Sequence, residues 1–546
     1  MSKKPLKKGK AMMDMNKFRL RKFVERLIEM DEVEIHDEPV ALADLSAIIE
    51  NTPRAVYFRN AGPEHFEIAS SVAGGRRRLA AAFGVTREKV IEEFHRRLAS
   101  PQPLVEVPTS DAPVHEVVIQ GEDVDLGRLP FHPQHEFDGG TYLTSGIDYA
   151  VDPETGKTNV GARRLSLRSR RELAFNLTNP SDLRNIYLKA VTRGERLPVS
   201  FTIGAHPLDL VAASMRSPGD ELGLVATLRG EPLPMVKCLT NDLRIPADAE
   251  ISLEGYFDEH GYREPEGPYG EYMGYYGHMH LNPVFHVTAV TMRSDVLHQT
   301  CLHGSGRILD RTDSGNINAL KADATVMRLL RGIVKEPVDV FTKINSGGCQ
   351  HLRVAIRQRA PGEARKAIAA IFGAVMHFKH VFVVDEDIDI HDDEQMDWAM
   401  STRFQADRDL VILTDMLGMK MDPSLDGRTL TTKAGFDLTM PFNRRRGVET
   451  KVPKAHRFGG AAGFRTVREA IEAGPMVFSE IMDAVGSRDG REIALQLDEI
   501  RREGLLLRLE DGEYALARGE DPEITRVPGD PIKQTGLATH RYKLRR

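Results

Sequence analysis

Apolar positions first recur with a helical period. Residues 16–30 place Phe18, Leu20, Phe23, Leu27 and Ile28 three to four apart, which predicts an amphipathic helix. Residues 55–73 read as strand, turn, strand. Residues 76–98 read as two helices broken at Gly84. The Pro-rich stretch 100–114 reads as a linker and closes a first segment, 1–114.

From 115 to about 300 the period changes to two. Short β-branched runs (HEVVIQG, TYLTSGIDYAVD, RLPVSFTIG, PMVKCLT, AEISLEGYF, VFHVTAVTMR) alternate with Gly and Pro, which predicts a barrel or sandwich. Two helices interrupt it, near 181–193 and 207–216. From about 318 to 415 helical and strand patterns alternate, as in an α/β layer. Residues 416–460 have mixed composition and read as loops. The expected segments are therefore 1–114, 115–317, 318–460 and a separable 466–517.

The last segment has helical stretches at 467–473, 479–485 and 489–503. The run LLLRLEDGEYALA follows, with Asp511-Gly512 as a two-residue hairpin signal. Three helices and a hairpin predict a winged helix, a shape often used on DNA. Residues 466–517 carry 12 acidic residues against 6 Arg. A duplex binder needs the opposite sign, so a structural or protein-contact role is expected.

Composition narrows the class. The chain has 546 residues, 74 Lys+Arg and 80 Asp+Glu, a net charge of −6. That equals the net charge of 466–517, so the remainder is balanced. Bulk electrostatics gives no case for nucleic acid or an anionic membrane as partner. No apolar run reaches the ~18 residues of a membrane span. MSKKPLKKGK has no apolar stretch behind it and reads as a floppy basic tail, not a secretory signal. Cys238, Cys301 and Cys349 are too few and scattered for a disulfide framework, which fits a reducing cytoplasm. No GxSxG, HExxH or CxxC occurs, so Ser or Cys hydrolysis and zinc proteolysis have no support.

Four constellations carry candidate chemistry. REPEGPYGEYMGYY (263–276) places Glu266 and Glu271 around a glycine turn, where paired carboxylates can divide into an orienting ion and an acid; a solvent-exposed hairpin is the alternative. NVGARRLSLRSRR (159–171) is strongly basic, and one guanidinium can bind a carboxylate bidentately; a solvated strand would look the same. In NPSDLRN, Asn179 or Ser181 can cap a helix with Asp182 in its first turn. In SPGDELG, Asp220 and Glu221 open another. Both acids are also candidate hard-cation ligands. His278 and His280 alternate like strand residues, with no third ligand evident.

Taken in order, these segments resemble the UbiD family of prenylated-FMN-dependent decarboxylases. The resemblance runs from about 16 to 445. It rests on FRLRKFVERLI, GEDVDLGRLP, GGTYLTSGIDYAVDPETGKTNVGARR, LRGEPLPMVKCLTNDLRIPADAEISLEG, EGPYGE, VFVVDEDIDIHD and WAMSTRFQADRD. It implies an α/β (α+β) protein: an N-terminal α/β segment, a split β-barrel that binds the flavin, an α/β oligomerisation domain, and here a C-terminal winged-helix-like extension.

The resemblance also implies roles. Asn159, Asp182 and Glu221 would hold Mn2+ or Mg2+, with Asp182 standing where the family usually has His. Arg164 would hold the substrate carboxylate, Glu266 would fix Arg164, and Glu271 would donate and accept the proton. Gly161, Ala162, Arg163 and Ser181 would line the cofactor. Lys379 and Arg403 would approach the phosphate and a monovalent cation, K+. The implied activity is non-oxidative, reversible decarboxylation of an aromatic or α,β-unsaturated acid. A flavin prenyltransferase would supply the cofactor, and a homo-oligomer, dimer or hexamer, would be the assembly. The substrate pocket would draw on 305–325 and 416–445. Two alternatives stay open: an aryl-CoA thioester substrate of the phthaloyl-CoA kind, for which Arg444–Arg446 is compatible, and a non-catalytic flavin-binding paralogue acting as a partner protein.

Overall fold

The computed structural model describes residues 13–178, 180–217, 219–304, 308–444, 452–459, 462–509 and 512–517. It divides into two compact units, Met1–Thr439 and Met440–Arg546.

In the first unit, helix Leu20–Glu29 buries Leu20, Phe23, Val24 and Leu27 on one face. The strands Val33–His36, Ala55–Ala61 and Phe66–Ser70 form a sheet whose fourth member, His298–Thr300, comes from beyond the barrel. Gly84, at φ 75°, ends helix Arg76–Phe83 before Val90–Leu98 begins. The expected linker at 100–114 is partly a strand: Leu104–Glu106 pairs in parallel with Leu233–Lys237. One apolar core runs from Leu20 through Ile147 and Val225 to Ala324.

Six antiparallel strands close the barrel: Ile251–Phe257, Leu197–Ile203, Tyr142–Val151, Thr158–Leu167, Glu172–Phe175 and Val284–Met292, the last pairing back on the first. Inward Phe175, Phe201, Phe257 and Phe285 fill it, Phe285 edge to face against Phe201 and Phe257, and Phe175 tilted against both of those. Gly255 is required at the bulge in Ile251–Phe257, because a Cβ there would sit 1.9 Å from the His286 carbonyl oxygen. Helix Asp182–Arg193 buries Leu183, Ile186, Tyr187 and Ala190 against the barrel core, which fixes the position of its first turn.

The C-terminal layer of this unit is a five-stranded sheet ordered Pro337–Lys343, His351–Ile356, His380–Asp385, Leu430–Asp437, Leu410–Leu417. The loop expectation for 416–460 is corrected here, since Leu430–Asp437 is an internal strand. Its buried positions are Thr431, Lys433 and Gly435, so its hydrophobic alternation is inverted. Gly435 leaves space that Ile368 fills, and buried Lys433 donates to the carbonyls of Val375 and Met376.

In the second unit, helices Val467–Ala473, Phe478–Val485 and Arg491–Arg502 precede the hairpin Leu506–Arg508/Tyr514–Leu516, as expected of a winged helix. Ile471, Ile481, Ile493 and Leu497 form its core. Asp511 lies outside the described residues; Gly512 has φ 79°. Among the described residues no helix is long and apolar enough to cross a membrane.

Burial pushes the imidazoles of His132 and His298 down from 6.5 to about 4. Between those values the unfolded chain binds protons that the folded chain refuses, so stability falls as pH drops from 6.5 towards 4. Near pH 5 each histidine costs roughly 2 kcal/mol. Thermal unfolding should give a lower Tm at about pH 5 than at about pH 7.5, and His298→Gln should narrow the gap. An unchanged gap would remove His298 from the account.

Candidate active site

Strand Thr158–Leu167 carries Asn159, Gly161, Ala162, Arg163 and Arg164. Opposite Arg164 stands the segment of short strands Glu264–Glu266, Tyr269–Gly270, Tyr276–Gly277 and His280–Asn282. It delivers Glu266 and Glu271 to the same guanidinium. Arg164 donates Nε to Glu266 Oε1 at 2.9 Å, Nη2 to Glu266 Oε2 at 3.2 Å and Nη1 to Glu271 Oε1 at 2.7 Å. Its guanidinium also lies 4.2 Å from the Tyr269 ring centroid. Burial alone would lower the Arg164 pKa, but Glu271 and Glu266 outweigh it and hold the cation well above its usual range. Glu266 is 4% exposed and bound as a two-point fork.

Arg164 and Glu271 stand on a wall common to two cavities. One, of about 240 Å3, is also lined by Thr144, Tyr269, His303 and Ser314. The other, of about 150 Å3, adds Asn176, Ser181 and Met421. Ala162, Arg163 and Tyr272 line both. Contributions thus come from 305–325 and 416–445, the two stretches expected to shape the pocket. His303 shares a hydrogen bond of 2.9 Å between Nδ1 and Ser314 Oγ, and burial pushes its imidazole down to about 4, so it is neutral near pH 7.

A third cavity, of about 290 Å3, gathers Asn159, Asp182 and Glu221, with Asp152 and Ser217. The Glu221 carboxylate accepts backbone N–H groups from Val160 at 2.8 Å and Ser217 at 3.2 Å. Burial pushes its pKa up, those two bonds oppose the shift, and the charge of Asp182 adds to it. Asp182 sits exposed in the first turn of Asp182–Arg193, whose N-cap is Ser181, accepting from Arg184 N at 3.2 Å. Asp220 caps Glu221–Arg229, so the acid of the pair left facing the cavity is Glu221. The donor set is one amide and two carboxylates, all hard oxygen, which suits Mn2+ or Mg2+. Asn159 and Arg164 are five residues apart, about 17 Å along an extended strand.

The structure therefore brings together Arg164, Glu266 and Glu271, and separately Asn159, Asp182 and Glu221. Gly161, Ala162 and Arg163 lie between the two groups. Lys379 lines none of the three cavities; its ammonium is held by Asp422 and Ser424, next to Met421. Arg403 is buried against Asp387, at 2.7 Å. Among the described residues no group of three or more His, Cys, Asp or Glu is placed to hold a metal, so His278 and His280 stay unassigned. Asn179, Arg445 and Arg446 lie outside the described residues, as does the side chain of Arg444. Sequence reasoning missed Asp148, which lies fully buried beside Asn159 and Arg163. Burial raises its carboxyl to about 7, Arg163 opposes that and Glu221 adds to it. A single acid in an apolar strand offers no pattern to find it by.

Two family profiles match the chain. The 3-octaprenyl-4-hydroxybenzoate carboxy-lyase Rift-related domain (UbiD) covers residues 105–306, and the C-terminal domain of the same enzymes covers 316–438. An anhydromevalonate phosphate decarboxylase of Methanosarcina mazei is 31% identical over 423 residues, 77% of this chain and 95% of the relative. The UbiD-class enzyme HmfF of Pelotomaculum thermopropionicum, solved with FMN, superimposes with a TM-score of 0.75 at 32% identity, over 80% of this chain and 97% of its own. A vanillic acid decarboxylase of Sedimentibacter hydroxybenzoicus gives a TM-score of 0.71 at 25% identity, over 82% and 96%.

Proposed function

We infer, from the premise that the chain belongs to the UbiD family of carboxy-lyases and is a decarboxylase, that it removes CO2 from an aromatic or α,β-unsaturated carboxylic acid. The reaction uses prenylated FMN and a divalent cation, and runs backwards at high bicarbonate. The observation that carries this reading is one guanidinium shared by two carboxylates at the wall between two cavities.

The division of labour follows from the bonds. Glu266 occupies Nε and Nη2 of Arg164 and fixes the plane of the guanidinium. Among the described residues Nη1 donates to Glu271 alone. A substrate carboxylate arriving at Arg164 competes for that donor and releases Glu271. The freed Glu271 exchanges its proton with solvent and is then positioned to give it to, or take it from, the carbon that loses CO2. When bound, prenylated FMN supplies the electron sink that no side chain here offers. Asn159, Asp182 and Glu221 would hold the cation that neutralises its phosphate, and Gly161, Ala162, Arg163 and Ser181 would line it. The contact among Arg164, Glu266 and Glu271 argues against a non-catalytic paralogue.

The same reading makes the chain a cytoplasmic homo-oligomer joined through the C-terminal layer. Its edge strand Leu410–Leu417 exposes Ile412 and Leu417, and its three cysteines are free and buried.

Co-expression with a flavin prenyltransferase tests it. The purified protein should carry a flavin absorbance and Mn2+, with K+ measured alongside. It should release CO2 from a member of a panel of aromatic, α,β-unsaturated and phosphorylated unsaturated acids. Protein without flavin, divalent metal or CO2 release would sink the reading. Asp182→Ala should lose the divalent metal at unchanged Tm; unchanged metal content would take Asp182 out of the ligand set.

A further inference from the structure

Asp148 sits in mid-strand in Tyr142–Val151, paired in register with Gly161 of the neighbouring strand. Along that neighbour, residues 159, 161 and 163 share one face. The Asp148 carboxyl lies against all three. Its Oδ2 accepts from Asn159 Nδ2 at 3.0 Å, and its Oδ1 lies 3.3 Å from Arg163 Nε without completing a hydrogen bond. A Cβ on Gly161 would come 2.7 Å from Oδ1, so glycine in the middle position makes room for the carboxyl. The residue is 0% exposed.

A carboxyl with an unpartnered buried oxygen is costly to keep in a barrel wall that apolar residues would otherwise fill. What it supplies is direction. The bond that Oδ2 accepts engages the NH2 end of the Asn159 amide and turns the carbonyl oxygen away from the wall. That leaves Asn159 Oδ1 as the end available to the cavity shared with Glu221 and Asp182. The same carboxyl holds Arg163, which lines the two cavities beside Arg164, by charge alone.

We propose that Asp148 is a positioning residue for the cation site: it locks the Asn159 amide with its oxygen facing Glu221 and Asp182, and it anchors Arg163 next to the substrate-binding Arg164. This rests on the metal-site reading of Asn159, Asp182 and Glu221. Outer partners of this type are worth about 10–100-fold in metal affinity. In Asp148→Asn the new side chain keeps the volume but can offer its own NH2 to either neighbour, so the Asn159 amide is no longer forced into one orientation.

The test is Mn2+ binding by the full chain, without flavin, followed by equilibrium dialysis and the paramagnetic resonance spectrum of the bound ion. Wild type is compared with Asp148→Asn, Asp148→Ala and Asn159→Ala, with Tm measured for each. The expected result is about 10-fold or greater weakening in Asp148→Asn, with an altered Mn2+ spectrum, at a Tm near wild type. Asp148→Ala should weaken binding at least as much; if it does not fold, Asp148→Asn alone decides. Wild-type affinity and spectrum in Asp148→Asn, with Asn159→Ala weakened, overturns the role of Asp148 and leaves the metal site standing. A wild type that binds Mn2+ no better than Asn159→Ala overturns both.

Discussion

Glu271→Gln should cut CO2 release by about 10^3-fold or more while leaving bound flavin at the wild-type level. The magnitude is what a positioned general acid or base contributes, about 10^2–10^4. Glutamine keeps the shape of the side chain, and its amide oxygen can still accept from Arg164 Nη1, now held at 2.7 Å by the carboxylate. Shape matters here, because a Cβ on Gly277 would come 3.0 Å from Glu271 Cγ, so the hairpin has little slack. The variant therefore removes the transferable proton and little else. The loss should fall on kcat, with KM for the acid not raised, since Arg164 and Glu266 remain and a neutral amide competes for Nη1 less than a carboxylate. Turnover within tenfold of wild type would take the proton-transfer role from Glu271.

How much of this was legible in the sequence depends on which signal each part relied on. The barrel strands and flanking helices follow from periods of two and 3.6, and the observed elements lie where those periods change. Closure of the barrel by Ile251–Phe257 on Val284–Met292, and the return of His298–Thr300 to the N-terminal sheet, are long-range pairings without a local signature. Leu430–Asp437 escaped because its buried face carries Thr431, Lys433 and Gly435, the reverse of the pattern that marks a strand. In the site, the glycine turn between Glu266 and Glu271 was readable from spacing, and the pairing of Asn159 with Arg164 came from the family resemblance. The Tyr269 ring under Arg164 was not, because stacking leaves no spacing rule. The acidic segment 466–517 was legible twice, from its hairpin signal and from its charge. A net −6 over 466–517 accounts for the imbalance of the whole chain, and that sign disfavours a phosphate backbone as its partner.

Arg164 offers the complementary experiment, because its loss should fall on binding. Arg164→Ala removes the partner of Glu266, which is 4% exposed, and breaking a buried pair in this way costs about 3–5 kcal/mol of stability. A lowered Tm in that variant would confound the kinetics. Arg164→Lys separates the two effects. It keeps the positive charge between Glu266 and Glu271 but cannot reproduce the fork that now spans 2.9 and 3.2 Å to Glu266 and 2.7 Å to Glu271. With one ammonium to divide, the carboxylates and the incoming acid compete for a point charge. Losing one partner of a desolvated charge pair costs about 2–5 kcal/mol, so kcat/KM should drop by about 10^2–10^3, carried mainly by a raised KM. Flavin and Mn2+ content should stay at wild-type levels, because Asn159, Asp182 and Glu221 are untouched. A Lys variant with wild-type KM would mean that the substrate carboxylate is held elsewhere, and Arg164 would then serve only to keep two acids apart.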